Sequence, residues 1–206
     1  MTELGFIHRF EPGKSKRTLL LLHGTGGDEN DLVDLGRALD RDAARLSPRG
    51  KVLENGAPRF FRRLAEGVFD EADVVRRAKE LAEFVDRATT EYAIDATQLI
   101  AVGYSNGANI AAAMLLLGVA NFAGAILFRA MVPLMRLDAV PNLNGIRILL
   151  SAGKYDPIAQ PQIVGTLAGL LRQGGAEVTV EIQPRGHELT AQDATSARAW
   201  LAGASS

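Results

Sequence analysis

From Ala96 to Phe128 the chain carries no charged side chain. A run of that length either crosses a membrane or sits inside a fold. Gly103, Ser105, Asn106, Gly107, Asn109, Gly118, Asn121 and Gly124 break it into short pieces. Those pieces fit a buried strand, a tight turn, a buried helix and a second buried strand. Strands lacking polar alternation belong in a parallel sheet covered on both faces.

The flanking sequence extends this pattern. Apolar runs at Arg17–His23, Lys51–Glu54, Gln98–Gly103, Ala123–Phe128, Ile146–Ala152 and Val178–Gln183 read as strands. Helices are expected over Leu32–Leu46, Asp70–Ala93, Asn106–Leu117, Ile163–Arg172 and Thr190–Leu201. In the second, Val74, Ala78, Leu81, Val85 and Ala88 share one face, with Asp70 as N-cap. Asn55–Phe69 reads as a loop and the final Gly-Ala-Ser-Ser as a frayed end. Strands alternating with helices predict an α/β fold, a mainly parallel sheet between helical layers. A single domain is expected over residues 1–206, which should bury about 70% of its extended-chain surface.

Composition removes several classes of function. With 47% hydrophobic and 23% charged residues, the chain is neither disordered nor of low complexity. A net charge of −1 supplies no footprint for nucleic acid. No cysteine is present, which removes disulfides, thiolate zinc sites, Cys nucleophiles and iron–sulfur clusters. It also favours the cytoplasm. Glu3 and Arg9 interrupt the N-terminus, so no signal peptide is expected, and no membrane span.

The chemistry is carried by Gly103-Tyr104-Ser105-Asn106-Gly107, a Gly-x-Ser-x-Gly between an expected strand and an expected helix. A sharp strand-to-helix turn lifts the hydroxyl above the sheet edge, and small flanking residues relieve crowding. A serine hydroxyl needs a base, and the base needs an orienting carboxylate. Asp156 and His187 follow later strands, in the order Ser, Asp, His. All three would project from the C-terminal rim of a parallel sheet, where ligands bind. Of the other histidines, His8 reads as a surface residue and His23 as a buried structural one. Asp138 is the rival acid, and Asp193 reads as part of a solvated helix face. The turn His23-Gly24-Thr25-Gly26-Gly27 would supply the Thr25 N–H to an oxyanion hole shared with the Asn106 N–H. It lacks the Lys-Ser/Thr ending of a phosphate loop.

Phe60, Phe61 and Phe69 cluster in the 55–69 segment, which reads either as a cap over the pocket or as packing beneath a surface loop. Tyr104 and Met131 are further pocket candidates. Arg62 or Arg63 could meet an acidic substrate group.

The segments LLLLHGTGGDEND, GYSNGA, SAGKYDPI and PRGHEL, with ENGAPRFFRRLAEGVFDE, resemble the α/β-hydrolase superfamily. More narrowly, the chain resembles the phospholipase/carboxylesterase family, which includes acyl-protein thioesterases and small bacterial carboxylesterases. ENGAPRFFRRLAEGVFDE is most similar to the bacterial branch associated with hydroquinone resistance. The resemblance spans about Arg17 to Leu201. It implies an α/β-hydrolase fold with a minimal lid, and a triad of Ser105, Asp156 and His187. It also implies an oxyanion hole at Thr25 and Asn106, a small-molecule ester as substrate, and no metal or organic cofactor. Thioesterase and lysophospholipase activities are the neighbouring alternatives, and a binding-only protein on the same scaffold is a third. Acyl-protein thioesterases usually carry Ser-Gln-Gly-Gly, where this chain has Asn106 and Ala108. The difference favours a small, open pocket. Monomer and homodimer both remain compatible with the sequence.

Overall fold

A computed structural model describes residues 4–203. In chain order the elements begin with β1 (His8–Glu11), β2 (Thr18–Leu22), α1 (Val33–Leu39) and β3 (Ala44–Pro48). Next come β4 (Val52–Glu54), β5 (Ala57–Arg59), β6 (Arg63–Ala65), β7 (Val68–Phe69) and α2 (Glu71–Glu91). Then follow β8 (Leu99–Tyr104), α3 (Asn106–Leu116), β9 (Gly124–Phe128), β10 (Arg147–Gly153), α4 (Pro161–Gln173), β11 (Glu177–Gln183) and α5 (Ala191–Ala202).

The main sheet has seven strands in the order β1-β3-β2-β8-β9-β10-β11. Only β1 runs antiparallel, against β3. Apolar residues of β2 serve both faces. Leu20 and Leu22 join the core that holds α2, α3 and α4, while Leu19 and Leu21 join the core beneath α1 and α5. This two-sided burial is why β2, β8 and β9 read as unbroken apolar runs.

The charge-free segment resolves into β8, the 11-residue helix α3 and β9, all deep in the molecule. Among the described residues no helix is long and apolar enough to cross a membrane. Asp70 caps α2 by accepting from the Asp73 N–H. The face carrying Val74, Ala78, Leu81, Val85 and Ala88 is buried.

Four local expectations need correction. The helix expected to Leu46 stops at Leu39, and Leu46 lies in β3. The Asp40 carboxylate accepts the backbone N–H groups of Asp42 and Ala43 at 3.0 and 3.1 Å, turning the chain into the strand. The strand near Lys51–Glu54 exists as β4, but it pairs with β5 outside the main sheet. The loop expected over 55–69 is largely two hairpins, β4–β5 and β6–β7. Asn55 and Gly56, at φ +51° and +83°, form the two-residue turn of the first, a dipeptide with strong hairpin preference. Finally, His8 lies in β1 and bonds the Tyr92 hydroxyl at 2.7 Å. It is half-buried and not a free surface residue.

Of the final four residues, Gly203 caps α5; the other three lie outside the described residues.

Candidate active site

The site begins where the sheet reverses direction. From β2 the chain moves outward to β3, then returns to β8 on the other side of β2. The turns that follow β2 and β8 therefore open side by side at a topological switch point. Leu22 pairs with Gly103 across these strands, which brings Thr25 and Ser105 to neighbouring positions on the rim.

Ser105 sits between β8 and α3 with φ +51° and ψ −112°, a sparsely populated conformation for a residue with a Cβ. Tight packing requires the flanking glycines. A Cβ on Gly107 would lie 2.0 Å from the Leu22 carbonyl oxygen, and one on Gly103 would lie 2.6 Å from the Ala108 backbone. The Ser105 N–H donates to the Phe128 carbonyl at 2.9 Å, tying the bend to β9.

His187 Nε2 lies 2.9 Å from Ser105 Oγ, and His187 Nδ1 lies 2.8 Å from Asp156 Oδ2. A carboxylate only accepts, so the Nδ1 proton donates to Asp156 and Nε2 is left to accept from the Ser105 hydroxyl. Asp156 Oδ1 accepts the Ile158 and Ala159 N–H groups at 2.8 and 2.9 Å. Both carboxylate oxygens are thereby fixed. The Asp156 side chain is fully buried, whereas that of His187 is 23% exposed, so the imidazole is open to the pocket and the carboxylate is not. The carboxylate bonded to His187 Nδ1 is that of Asp156, not the rival Asp138.

The loop carrying His187 is clamped from two sides. The Tyr104 hydroxyl donates to the His187 carbonyl at 3.1 Å. Burial pushes this phenol above the usual tyrosine range, with Arg129 opposing. On the other side is Arg129, a fully buried residue just past β9 with φ +55°. Its Nε donates to the Gly186 carbonyl at 3.1 Å and its Nη2 to the Glu188 carbonyl at 2.8 Å. These carbonyls flank His187.

Arg129 is held in turn by Asp193, with both contacts at 2.9 Å. Asp193 is 1% exposed, which corrects the expectation of a solvated face. It stands in the first turn of α5, and Thr190 and Ser151 also bond its carboxylate. Burial alone would raise this carboxyl, but the bonds from Arg129, Ser151 and Thr190 outweigh it and hold it below the ordinary value. Sequence reasoning missed Arg129 entirely. Its one signal was position: a lone cation ending the charge-free run.

Thr25 follows the buried His23. Burial holds His23 neutral, with its pKa lowered. Its Nε2 accepts the Gly50 N–H at 2.9 Å, a structural role as expected. The Thr25 and Asn106 backbone N–H groups donate to no acceptor among the described residues. The Asn106 side chain does work that sequence reasoning did not foresee. Its Oδ1 accepts the Phe60 N–H at 2.7 Å, while Asn109 Oδ1 accepts the Met131 N–H at 2.7 Å. Two side chains on the first turn of α3 thus hold Met131, a wall residue, and Phe60, the neighbour of the wall residue Arg59.

The pocket over Ser105 has a volume of about 210 Å³. Phe69, Tyr104 and Met131 line it, as do Thr25, Asn106 and His187. Phe60 and Phe61 do not. They are 3% and 0% exposed and belong to the core beneath, where Phe61 packs edge-on against Phe69. Asn109, Ile158, Arg59 and Arg63 are wall residues not foreseen as pocket candidates, although Arg63 had been singled out for its charge. Arg62 instead pairs with Asp70 away from the pocket. The described residues contain no group of three or more His, Asp or Glu side chains able to hold a metal ion.

The strand order, the two helical layers and the β8–α3 elbow together define an α/β-hydrolase. The profile of the Phospholipase/Carboxylesterase family matches residues 11–203. The chain belongs to this family and is an esterase-type hydrolase. It is 49% identical over 193 residues to the putative hydrolase MhqD of Bacillus subtilis (strain 168), covering 94% of this chain and 96% of that one. The crystal structure of the Bacillus cereus carboxylesterase superposes with a TM-score of 0.95 at 45% identity, covering 98% of this chain and 96% of the other. A carboxylesterase from Mesorhizobium loti superposes with a TM-score of 0.94 at 34% identity, covering 98% and 97%.

Proposed function

We propose that the protein is a serine hydrolase that cleaves small carboxylic esters with short acyl groups through an acyl-enzyme. The observation that carries this reading is the hydrogen-bonded series Ser105–His187–Asp156 at the base of the pocket. His187 Nε2 takes the Ser105 proton as Oγ attacks the ester carbon. The Thr25 and Asn106 N–H groups, without acceptors among the described residues, stabilise the resulting oxyanion. His187 then gives its proton to the departing alkoxide oxygen, leaving the acyl group on Ser105. Water, deprotonated by His187, attacks the acyl-enzyme and releases the acid. Asp156 holds the imidazole tautomer and stabilises the transient imidazolium.

The substrate range follows from space. A pocket of about 210 Å³ is smaller than the roughly 300–1,000 Å³ sites that hold drug-sized ligands. It suits a short acyl chain.

The test is hydrolysis of p-nitrophenyl esters from acetate to palmitate by wild type and Ser105→Ala. The expected result is a short-chain optimum and a loss of about 10⁵-fold or more in kcat for the variant. Fluorophosphonate should label Ser105 in the wild type. Equal turnover by both proteins would overturn the mechanism. A Ser105-dependent long-chain optimum would replace it with a lysophospholipase or thioesterase reading.

A further inference from the structure

We propose that Arg59 and Arg63 form an anion-binding wall of the pocket, and that the substrate is an ester bearing a carboxylate group. The proposal deepens the ester-hydrolase reading and rests on it for the word ester, though not for the anion site.

Both arginines line the pocket over Ser105, and no lining residue carries a carboxylate. The Arg59 side chain is 3% exposed. A buried cation is costly unless its charge and its donors are satisfied. Arg59 Nε donates to the Phe61 carbonyl at 3.1 Å and lies 3.2 Å from Glu54 Oε2. Its Nη1 donates to Thr25 Oγ1 at 2.7 Å. Its Nη2 meets no acceptor among the described residues. Arg63 donates from Nε to Glu54 Oε1 at 2.8 Å, and both of its Nη atoms lack an acceptor there.

Glu54 thus hydrogen-bonds the Arg63 Nε and forms an ion pair with Arg59, whose own Nε proton goes to the Phe61 carbonyl, joining the β4–β5 hairpin to β6. That structural role accounts for the Nε edges only. One carboxylate between two permanent cations leaves a net positive charge beside the pocket. Burial weakens the Arg59 guanidinium, Glu54 opposes the effect and Arg63 adds to it, a balance that an incoming anion would improve. Guanidinium donors in this fork geometry suit carboxylate oxygens. Through Nη1 the wall also touches the hydroxyl of Thr25, whose N–H faces the reaction. Anion recognition and carbonyl activation therefore meet at one residue.

The experiment compares kcat/KM within two near-isosteric pairs. Monoethyl fumarate against ethyl crotonate places the carboxylate on the acyl side. 4-Carboxyphenyl acetate against 4-methylphenyl acetate places it on the alcohol side. In at least one pair the wild type should favour the anionic ester by about tenfold or more, and added NaCl should reduce that preference. Arg63→Gln should lower the anionic-to-neutral ratio about tenfold, and Arg63→Lys should retain part of it. Because both ratios are taken within one protein, a general loss of activity cancels. Calorimetric titration of Ser105→Ala with fumarate provides a readout without turnover, and Arg63→Gln in that background should weaken binding by the same factor. Ser105-dependent hydrolysis of the neutral esters, with no preference in either pair and no fumarate binding, would overturn the anion site and leave the esterase reading standing. Arg63-dependent fumarate binding without turnover of any ester would uphold the anion site and overturn the ester reading.

Discussion

Replacing Arg129 by Met tests how the His187 loop is held. The Arg129 side chain makes six hydrogen bonds, to Ser151 O and Oγ, both Asp193 oxygens, and the Gly186 and Glu188 carbonyls. Methionine fills similar volume and makes none of them. Removing one partner of a buried ion pair costs about 3–5 kcal/mol, because the other charge is left uncompensated. Asp193 keeps its bonds from Ser151 and Thr190, so the loss should stay within that range. For a chain of this length it lowers the unfolding midpoint by roughly 6–20 °C. The catalytic effect is separable. Without Arg129 the carbonyls on either side of His187 lose their donors, and only the Tyr104 clamp of the two remains. A displacement of about 1 Å at a catalytic group can cost about 10²-fold in rate. Urea unfolding and p-nitrophenyl acetate kinetics, the latter well below the variant's midpoint, measure the two effects. The double variant Arg129→Met/Asp193→Leu should recover part of the stability, since neither charge of this pair is left buried alone, although the bonds from Ser151 and Thr190 to Asp193 are lost. It should not recover the rate. Stability of Arg129→Met within about 1 kcal/mol of wild type would refute the buried-pair argument. Full recovery of rate in the double variant would refute the clamp.

Other outcomes follow from the same geometry. Asp156→Asn should fold normally and lose about 10⁴-fold in kcat through the wrong imidazole tautomer; a loss below tenfold would contradict the assigned role. Gly107→Ala forces a Cβ to within 2.0 Å of the Leu22 carbonyl, so both the thermal midpoint and the esterase rate should drop, and an unchanged rate would contradict the packing. Acid should destabilise the fold in two windows, because His23 and Asp193 both have pKa values lowered by folding. A lowered folded-state pKa contributes stability above the unfolded value, which is lost as pH falls toward the folded one. The His23 contribution should therefore fade below about pH 6.5 and that of Asp193 below about pH 4. Urea midpoints across pH 4.5–7.5 should be flatter for His23→Gln than for wild type.

Much of this protein was legible locally. The apolar runs of β2, β8 and β9 announced a sheet buried on both faces, because such strands have no solvent side on which to show polar alternation. Gly103, Ser105 and Gly107 announced the elbow, because few residue types fit so sharp a strand-to-helix turn. With only three histidines in the chain, the sequence nearly determined which one lies beside Ser105. Asn55-Gly56 also carries a local signal, since this dipeptide favours the two-residue hairpin turn found there.

What only the tertiary structure decided was the set of partners that long-range contacts create. Asp193 looked solvated because a carboxylate on a closing helix ordinarily faces water. Its burial comes from Arg129, 64 residues away, which the fold delivers to the same spot. Phe60 and Phe61 share a sequence neighbourhood with Phe69, but their backbone turns them into the core while Phe69 reaches the pocket wall. Arg59, Arg62 and Arg63 are equivalent in composition, and the hairpin register separates two that line the pocket from one that pairs with Asp70. Periodicity and turn chemistry act over a few residues and can be read along the chain. Burial, charge pairing and cavity walls depend on which distant segments meet, and only the folded sheet specifies that.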